Sequence, residues 1–223
     1  NSKSNTNLGQ NIPVQWRIET WFPDLTADNF KKLKLFHEEL LKFNKTVNLI
    51  SVKTIPHADA IHFADSILAS RLIHSSNAIS EIYDFGSGNG FPAIVYSILY
   101  PNTKVHMVEL DQRKAEFMKH IISVLGLKKS DVMIRAIESL PEASVQFAMA
   151  RGYASITKAL LATRKLFPKG GRFFHLKSEE WATEIAQIPT QLCSFWTPSL
   201  AGEYRLPIGE IKFAVVKTDK IGS

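Results

Sequence analysis

The stretch Glu81-Ile82-Tyr83-Asp84-Phe85-Gly86-Ser87-Gly88-Asn89-Gly90-Phe91-Pro92 constrains this chain more than any other. Ile82, Tyr83 and Phe85 suit a buried strand, because β-branched and aromatic side chains pack well on a pleated surface. Gly86, Gly88 and Gly90 drop every second Cβ, so the turn can take positive φ and a ligand can lie on bare backbone. Pro92 fits the first turn of a helix, where a missing N–H costs nothing. That helix is expected to run from Ala93 until Pro101 ends it. Strand, glycine turn and helix in this order make a nucleotide-cofactor cradle.

Spacing narrows the cofactor. A dinucleotide fingerprint sets glycine at the first, third and sixth positions of the turn. Counted from Gly86, the sixth position is Phe91 and the extra glycine falls at the fifth, so the packing of a nicotinamide dinucleotide site is not encoded. Asp84, directly before the turn, suits a ligand that carries a cationic amino group. Glu109 closes the next apolar run roughly 20 residues on, where a carboxylate accepts both ribose hydroxyls. Asp84, the glycines and Glu109 together predict an S-adenosylmethionine site. The competing reading is a tight strand-to-helix turn with an unrelated surface carboxylate.

From Glu81 onward, short apolar runs alternate with helical stretches, which predicts a mostly parallel sheet covered on both faces. Strands are expected over 81–85, 104–109, 132–135, 145–150, 172–177, 192–197 and 211–217, the last two joined by a long loop. Helices are expected after Asp111, with Gly126 as the cap, over 156–167 and over 179–187. The predicted class is α/β: a Rossmann-like, seven-stranded methyltransferase fold over residues 81–223.

Residues 1–80 read as a helical extension packed on that core. The run 1–14 is polar and expected to be loosely attached, while Trp16, Ile18, Trp21 and Phe22 are apolar enough to dock. Thr26 is a plausible N-cap, and Phe30, Leu33, Phe36, Leu40 and Phe43 then form a stripe at helical spacing. Lys31, Lys32, Lys34 and Lys42 lie mainly off the stripe, on a solvated face or one that meets phosphates. After a break at Asn44 to Leu49, a second helix is expected over 57–73. His62 and Asp65 share a face of it, as a catalytic pair or, the favoured reading, as a core histidine satisfied by a neighbour.

A single cysteine, Cys193, excludes an intramolecular disulfide and a cysteine-based zinc site, and no metal site is expected. No run approaches the roughly 20 apolar residues of a membrane span. The first residues lack an apolar signal core, so a cytoplasmic location is expected. The net charge of +6 adds weight to a polyanionic partner.

In an open α/β sheet the ligand lies beyond the carboxyl ends of the strands. Those ends are Gly86 to Phe91, Glu109 to Asp111, Ala136 to Glu138, Arg151 to Ala154, and Lys177. Phe91 and Ile137 are expected to sandwich an adenine whose edge is read by backbone at Ile137 and Glu138. Arg151 is placed to orient a carboxylate, a phosphate or a base, with a surface ion pair as the alternative.

Six separate segments resemble the bacterial glucose-inhibited division protein B family, methyltransferases of guanine N7 in 16S ribosomal RNA. They are Asn44-Lys45 with Asn48-Leu49, His62 with Asp65-Ser66, and the cradle from Asp84 to Pro92. Arg113-Lys114 with Phe117, the run Ala150 to Ser155, and Arg172-Phe173 with Leu176-Lys177 complete the set. The resemblance implies cofactor contacts at Gly86, Phe91, Ile137, Glu138 and Arg151. Together with the residue pattern this gives a cofactor set of Asp84, Gly86, Gly88, Gly90, Phe91, Glu109, Ala136, Ile137, Glu138 and Arg151. Lys45 and Lys177 are candidate RNA contacts. The chain departs from the family at Glu109, usually aspartate, at Ala136, often arginine, and at Ile211, where a basic residue is usual.

The implied partner is 16S rRNA or the small ribosomal subunit, bound by a monomer that needs no membrane. Guanine N7 has a free in-plane lone pair, so no general base is required and positioning by Arg151 would carry the catalysis. A methyltransferase of a small molecule or protein, or a non-catalytic ribosome-assembly protein, are the alternatives left open.

Overall fold

The computed structural model describes residues 12–75 and 78–223; most of the polar run 1–14 and part of the link before Glu81 lie outside the described residues. Strands β1 (Glu81–Phe85), β2 (Lys104–Glu109), β3 (Ser130–Ile134), β4 (Phe147–Arg151), β5 (Arg172–Lys177), β6 (Trp196–Arg205) and β7 (Lys212–Lys220) form a single sheet in the order β3-β2-β1-β4-β5-β7-β6. The first five run parallel, and β7 lies antiparallel between β5 and β6. Strand order reverses between β1 and β4, which is where such sheets bind ligands. Asp84 pairs with Met149 in this register, so Gly86 and Arg151 emerge side by side at the carboxyl edge.

Successive residues of the central strands enter opposite cores. Ile82, Met149, Phe174 and Val215 face one apolar cluster, while Tyr83, Phe85, Ala148, Phe173 and Val216 face the other. Burial on both faces explains why these strands read as continuous apolar runs. Helices α1 (Ile18–Trp21), α2 (Ala27–Phe43), α3 (Asp65–Ser75), α4 (Ala93–Leu99) and α5 (Gln112–Leu125) contribute to the first cluster. Helices α6 (Ile156–Thr163) and α7 (Trp181–Ala186) cover the second.

The N-terminal extension is thus continuous with the core of the sheet. Thr26 caps α2 in a reciprocal box with Asn29, and the expected stripe buries Leu33, Phe36 and Leu40 completely. Arg17 donates to the buried Asp59 through its backbone N–H, Nε and Nη2, each at 2.9 Å. That pair fastens the segment before α1 to the start of the second helical region.

Three expectations need correction. The helix expected over 57–73 is a 3₁₀ turn (Val52–His57), a wide π turn (Asp59–Ala64) and then α3. Helix α6 tightens into a 3₁₀ turn (Arg164–Leu166) instead of continuing to 167. Residues 192–194 belong to a 3₁₀ turn, and β6 starts at Trp196 and runs to Arg205. Pro198 and Gly202 obscured that strand, since both weaken a strand interior. Its position at the edge accommodates the proline, and a register shift between Leu200 and Gly202 absorbs the glycine. A Cβ at Gly202 would meet Leu72 Cδ2 at 2.7 Å, so α3 packs directly on this backbone.

One core residue is poorly matched to its surroundings. His37 is 2 % exposed, stacked on Trp16 at 4.7 Å, and neither ring nitrogen has a hydrogen-bond partner among the described residues. Burial, reinforced by nearby Lys34, holds its imidazole down at about 4. His37→Phe should therefore raise unfolding stability at pH 7 by about 1 kcal/mol or more, since an orphaned buried polar group is removed. As pH falls below about 6.5, the unfolded state gains a proton the folded state refuses. The advantage of the variant should grow from pH 7 to pH 5, and urea titrations at both pH values would measure it.

Candidate active site

The glycine turn has the backbone its sequence requires. Gly86, Gly88 and Gly90 have φ of +69°, +53° and +89°. A Cβ at Gly90 would approach Ile94 Cγ1 to 2.7 Å, so this glycine serves packing of the turn on α4. At Gly88 the nearest atom to such a Cβ is the Gly86 carbonyl oxygen at 3.7 Å, which leaves the outer surface of the turn open to a ligand. The Gly86 and Ser87 N–H groups donate to Val108 O at 3.0 and 3.2 Å, binding the turn to the end of β2. Glu109, next along, accepts from the Gly88 N–H at 3.3 Å. The two elements expected to hold the ribose and the methionine end are therefore in contact.

Beneath the turn lies Asp84, 1 % exposed, with neither carboxylate oxygen hydrogen-bonded among the described residues. Burial pushes its carboxyl up to about 8; Ser87 and Arg151 oppose this and Glu109 adds to it. An unpaired buried carboxyl is costly, and a cationic ammonium arriving at the turn would supply what the protein does not. This orphaned acid, the open backbone at Gly88 and the rim carboxylate of Glu109 fit S-adenosylmethionine.

Arg151 ends β4 beside the turn and is held from two sides by the N-terminal extension. Nη1 donates to Asp65 Oδ2 at 3.1 Å, and Nη2 to His62 Nδ1 at 2.9 Å. A guanidinium only donates, so His62 Nδ1 accepts and Nε2 carries the proton. Nε2 in turn donates to Thr54 Oγ1 at 3.2 Å, whose own hydrogen goes to Ser51 O at 2.8 Å. Burial, and then the facing Arg151, hold the His62 imidazole down at about 3, so it is neutral and not poised as a general acid. The other oxygen of Asp65 accepts from Tyr204 Oη at 2.5 Å. Burial raises the proton affinity of Asp65, and Arg151 and Tyr204 oppose that rise. His62 and Asp65 are thus both satisfied by neighbours, and they act together through Arg151 rather than on each other.

A family model described as rRNA small subunit methyltransferase G, GidB, matches residues 29–196. The chain belongs to the GidB family. Ribosomal RNA small subunit methyltransferase G 3 of Bdellovibrio bacteriovorus is 59 % identical over 209 residues, covering 93 % of this chain and 95 % of the relative. The methyltransferase G of Paracoccus denitrificans is 31 % identical over 157 residues, or 70 % of this chain and 80 % of that one. Among solved structures, the YcgJ protein of Bacillus subtilis aligns with a TM-score of 0.55 at 13 % identity, over 70 % of this chain and all of its own. A SAM-dependent methyltransferase from Aquifex aeolicus aligns with a TM-score of 0.51 at 13 % identity, over 68 % of this chain and 89 % of its own. These two likenesses show the fold, which the chain shares with a SAM-dependent methyltransferase.

Within this GidB-family framework several expected roles change. Phe91 cannot sandwich an adenine with Ile137. Its ring is 2 % exposed, stacked on Phe36 at 4.9 Å and His62 at 5.3 Å, with the Arg151 guanidinium 5.4 Å above it. Ile137 belongs to the cluster on the opposite face of the sheet. Phe91 is an anchor, and only its backbone faces the turn. Ala136 opens the short 3₁₀ turn Ile137–Ser139, with Ile137 buried and Glu138 exposed. Lys177 is not a free RNA contact, because its ammonium donates to Ala154 O at 2.8 Å and to Glu184 Oε1 at 3.1 Å.

Lys45 is exposed, on a loop stitched to the cradle. Asn44 Oδ1 accepts from the Leu49 and Ile50 N–H groups, each at 2.9 Å. Asn89 of the glycine turn donates to Leu49 O at 3.2 Å, and Arg113 of α5 donates to Thr46 O. The expected break at Asn44 to Leu49 is this loop, and Arg113, marked in the sequence by the family resemblance, helps to hold it. Tyr204 and Phe213 went unnoticed, because they come from the β6–β7 hairpin and no local pattern marks them.

Asp84 gives the site its own signature. In the free protein its proton is retained between about pH 4 and 8 while the unfolded chain releases it, so stability contributed by Asp84 is lost as pH rises through that window. Asp84→Asn should gain stability relative to the parent from pH 5 to 8, followed by thermal denaturation. The same variant should bind S-adenosylhomocysteine about tenfold or more weakly at pH 8, if an ammonium pairs with the ionised acid. Unchanged affinity would remove Asp84 from the cofactor site.

Proposed function

We propose that the protein transfers a methyl group from S-adenosylmethionine to N7 of a guanine in 16S rRNA of the small ribosomal subunit. It would do so as a monomer in the cytoplasm. GidB-family membership supports the reaction, and Arg151 standing beside the glycine turn is the observation that carries it. No helix among the described residues is long and apolar enough to cross a membrane. The net charge of +6 suits a phosphate-rich partner.

When bound, the cofactor supplies an electrophilic sulfonium methyl. The chain's residues have the tasks of holding and aligning. Backbone at Gly86 and Gly88 forms the floor, Asp84 meets the ammonium, and Glu109 accepts from the ribose hydroxyls. Backbone at Ala136, Ile137 and Glu138 borders the adenine. Arg151, immobilised by Asp65 and His62, fixes the orientation of the target. Guanine N7 is already nucleophilic, so the neutral, hydrogen-bonded His62 is consistent with a reaction that needs no base. Rate enhancement then rests on proximity and alignment, which demands a rigid Arg151.

The direct test is labelled methyl transfer to small ribosomal subunits lacking the modification, with the product nucleoside identified. The expected product is 7-methylguanosine; another nucleoside, or none, would defeat this reading. Arg151→Ala should lower kcat by about a hundredfold, the usual size of an alignment defect, and wild-type turnover would remove Arg151 from the mechanism. Binding to the subunit should weaken steeply with added salt, as expected when lysine and arginine displace counterions from phosphates.

A further inference from the structure

Beside Arg151 lies a cavity of about 240 Å³ between the N-terminal extension and the β6–β7 hairpin. Its apolar walls are Ile61, Leu176, Tyr204 and Phe213, and the Tyr204 and Phe213 rings lie 5.8 Å apart and 18° from parallel. Sites for drug-sized ligands run from about 300 to 1,000 Å³, so this one suits a single ring system. A flat aromatic wall opposite aliphatic side chains suits the faces of a nucleobase. It lies at the carboxyl ends of β4 and β5, and Arg151 on its wall is the strand end that emerges beside Gly86.

Arg151 meets the cavity with hydrogen-bond donors, while its acidic partner Asp65 is almost wholly buried. Arg151 uses one N–H on Asp65 and one on His62, leaving further N–H groups on a side chain that is 21 % exposed. The nearest acceptors already hold one donor each. Asp65 Oδ2 and Oδ1 accept from Arg151 and Tyr204, and His62 Nδ1 accepts from Arg151. Lys177 can only donate, and Ser178 sits exposed at the mouth. The free N–H groups of Arg151 favour a base edge of acceptors. Guanine presents N7 and O6 on that edge, whereas adenine presents N7 and an amine.

We propose that this cavity takes the target as one unstacked guanine, recognised through O6 by Arg151, with Phe213 as its stacking wall. The proposal rests on the methyl transfer inferred above and adds how the base is chosen. A duplex cannot enter a cavity of this size, so the nucleotide leaves its stack, as bases do for enzymes that act on them. N7 forms the new N–C bond as the S–C bond breaks and its electron pair stays on sulfur. No proton moves, and the positive charge passes to the purine. Asp65, paired with Arg151, offsets the guanidinium charge next to the purine cation as it forms.

The test uses small subunits reconstituted with 16S rRNA that carries guanosine, inosine or 2-aminopurine at the mapped target. Inosine keeps O6 and N7 but lacks the 2-amino group; 2-aminopurine keeps that amine and N7 but lacks O6. Inosine should be methylated within about threefold of guanosine, and 2-aminopurine at least about a hundredfold more slowly, because a donor built for O6 is left unpaired. Rapid 2-aminopurine methylation, or an inactive inosine subunit beside an active guanosine one, overturns the proposal. Phe213→Ala should lower kcat/KM by about tenfold or more through lost stacking. Its S-adenosylhomocysteine affinity should stay within about twofold and its Tm near that of the parent. Full activity in that variant removes Phe213 from the site. No transfer even to the guanosine subunit instead defeats the methyl-transfer reading, and this proposal falls with it.

Discussion

The Arg151–Asp65 contact is the point on which the site depends. One partner ends a strand of the parallel sheet and the other opens a helix of the N-terminal extension, 86 residues apart in sequence. The Asp65 side chain is only 6 % exposed. Removing either partner would leave the other's charge or hydrogen-bonding groups stranded in a nearly dry place, which costs far more than a surface pair does. The contact is therefore well suited to fixing geometry. It locks the guanidinium in one orientation, while His62 accepts from a second N–H of Arg151 and Tyr204 donates to the other oxygen of Asp65. Residues of the extension therefore set how this strand-end arginine is presented.

Below that contact the aromatic rings supply rigidity. Phe91 leaves the glycine turn toward the extension and meets Phe36, Phe63 and His62 at centroid distances of 4.9 to 5.3 Å. A turn of three glycines has little stiffness of its own, and burying the next side chain restrains it. Hydrogen bonds from Ser87 and Gly86 to β2 restrain its other end. The backbone thus stays open to a ligand while both flanks are packed or bonded.

What could be read in advance follows from how local each signal is. The glycine turn, the first two strands, the Thr26 cap and the Gly126 cap announce themselves within a few residues. All four are where the local chemistry puts them. Arg151 could be singled out as a strand-end cation beside that turn, with a surface ion pair as the alternative, but its ties to Asp65 and His62 come from a segment 86 or more residues earlier. Phe91 misled because an aromatic residue in a cofactor loop looks like a stacking group, and only packing reveals which way its ring turns. Lys177 misled for a similar reason, since Glu184 captures it through a helix that the strand sequence does not mention. Tyr204 was out of reach: its hydroxyl finds Asp65 across 139 positions, from a strand broken by a proline and a glycine.

That broken strand has a consequence for how the molecule behaves in a crowded solution. The sheet ends in two open rims, β3 on one side and β6 on the other. An open rim is a template on which foreign chains can extend a sheet. Strand β3 offers only five residues. Strand β6 is ten residues long, but Pro198 and the offset near Gly202 interrupt its regular spacing, and Leu72 presses on it from α3. The irregularities that hid β6 from sequence reasoning thus guard the protein against growing into a fibre.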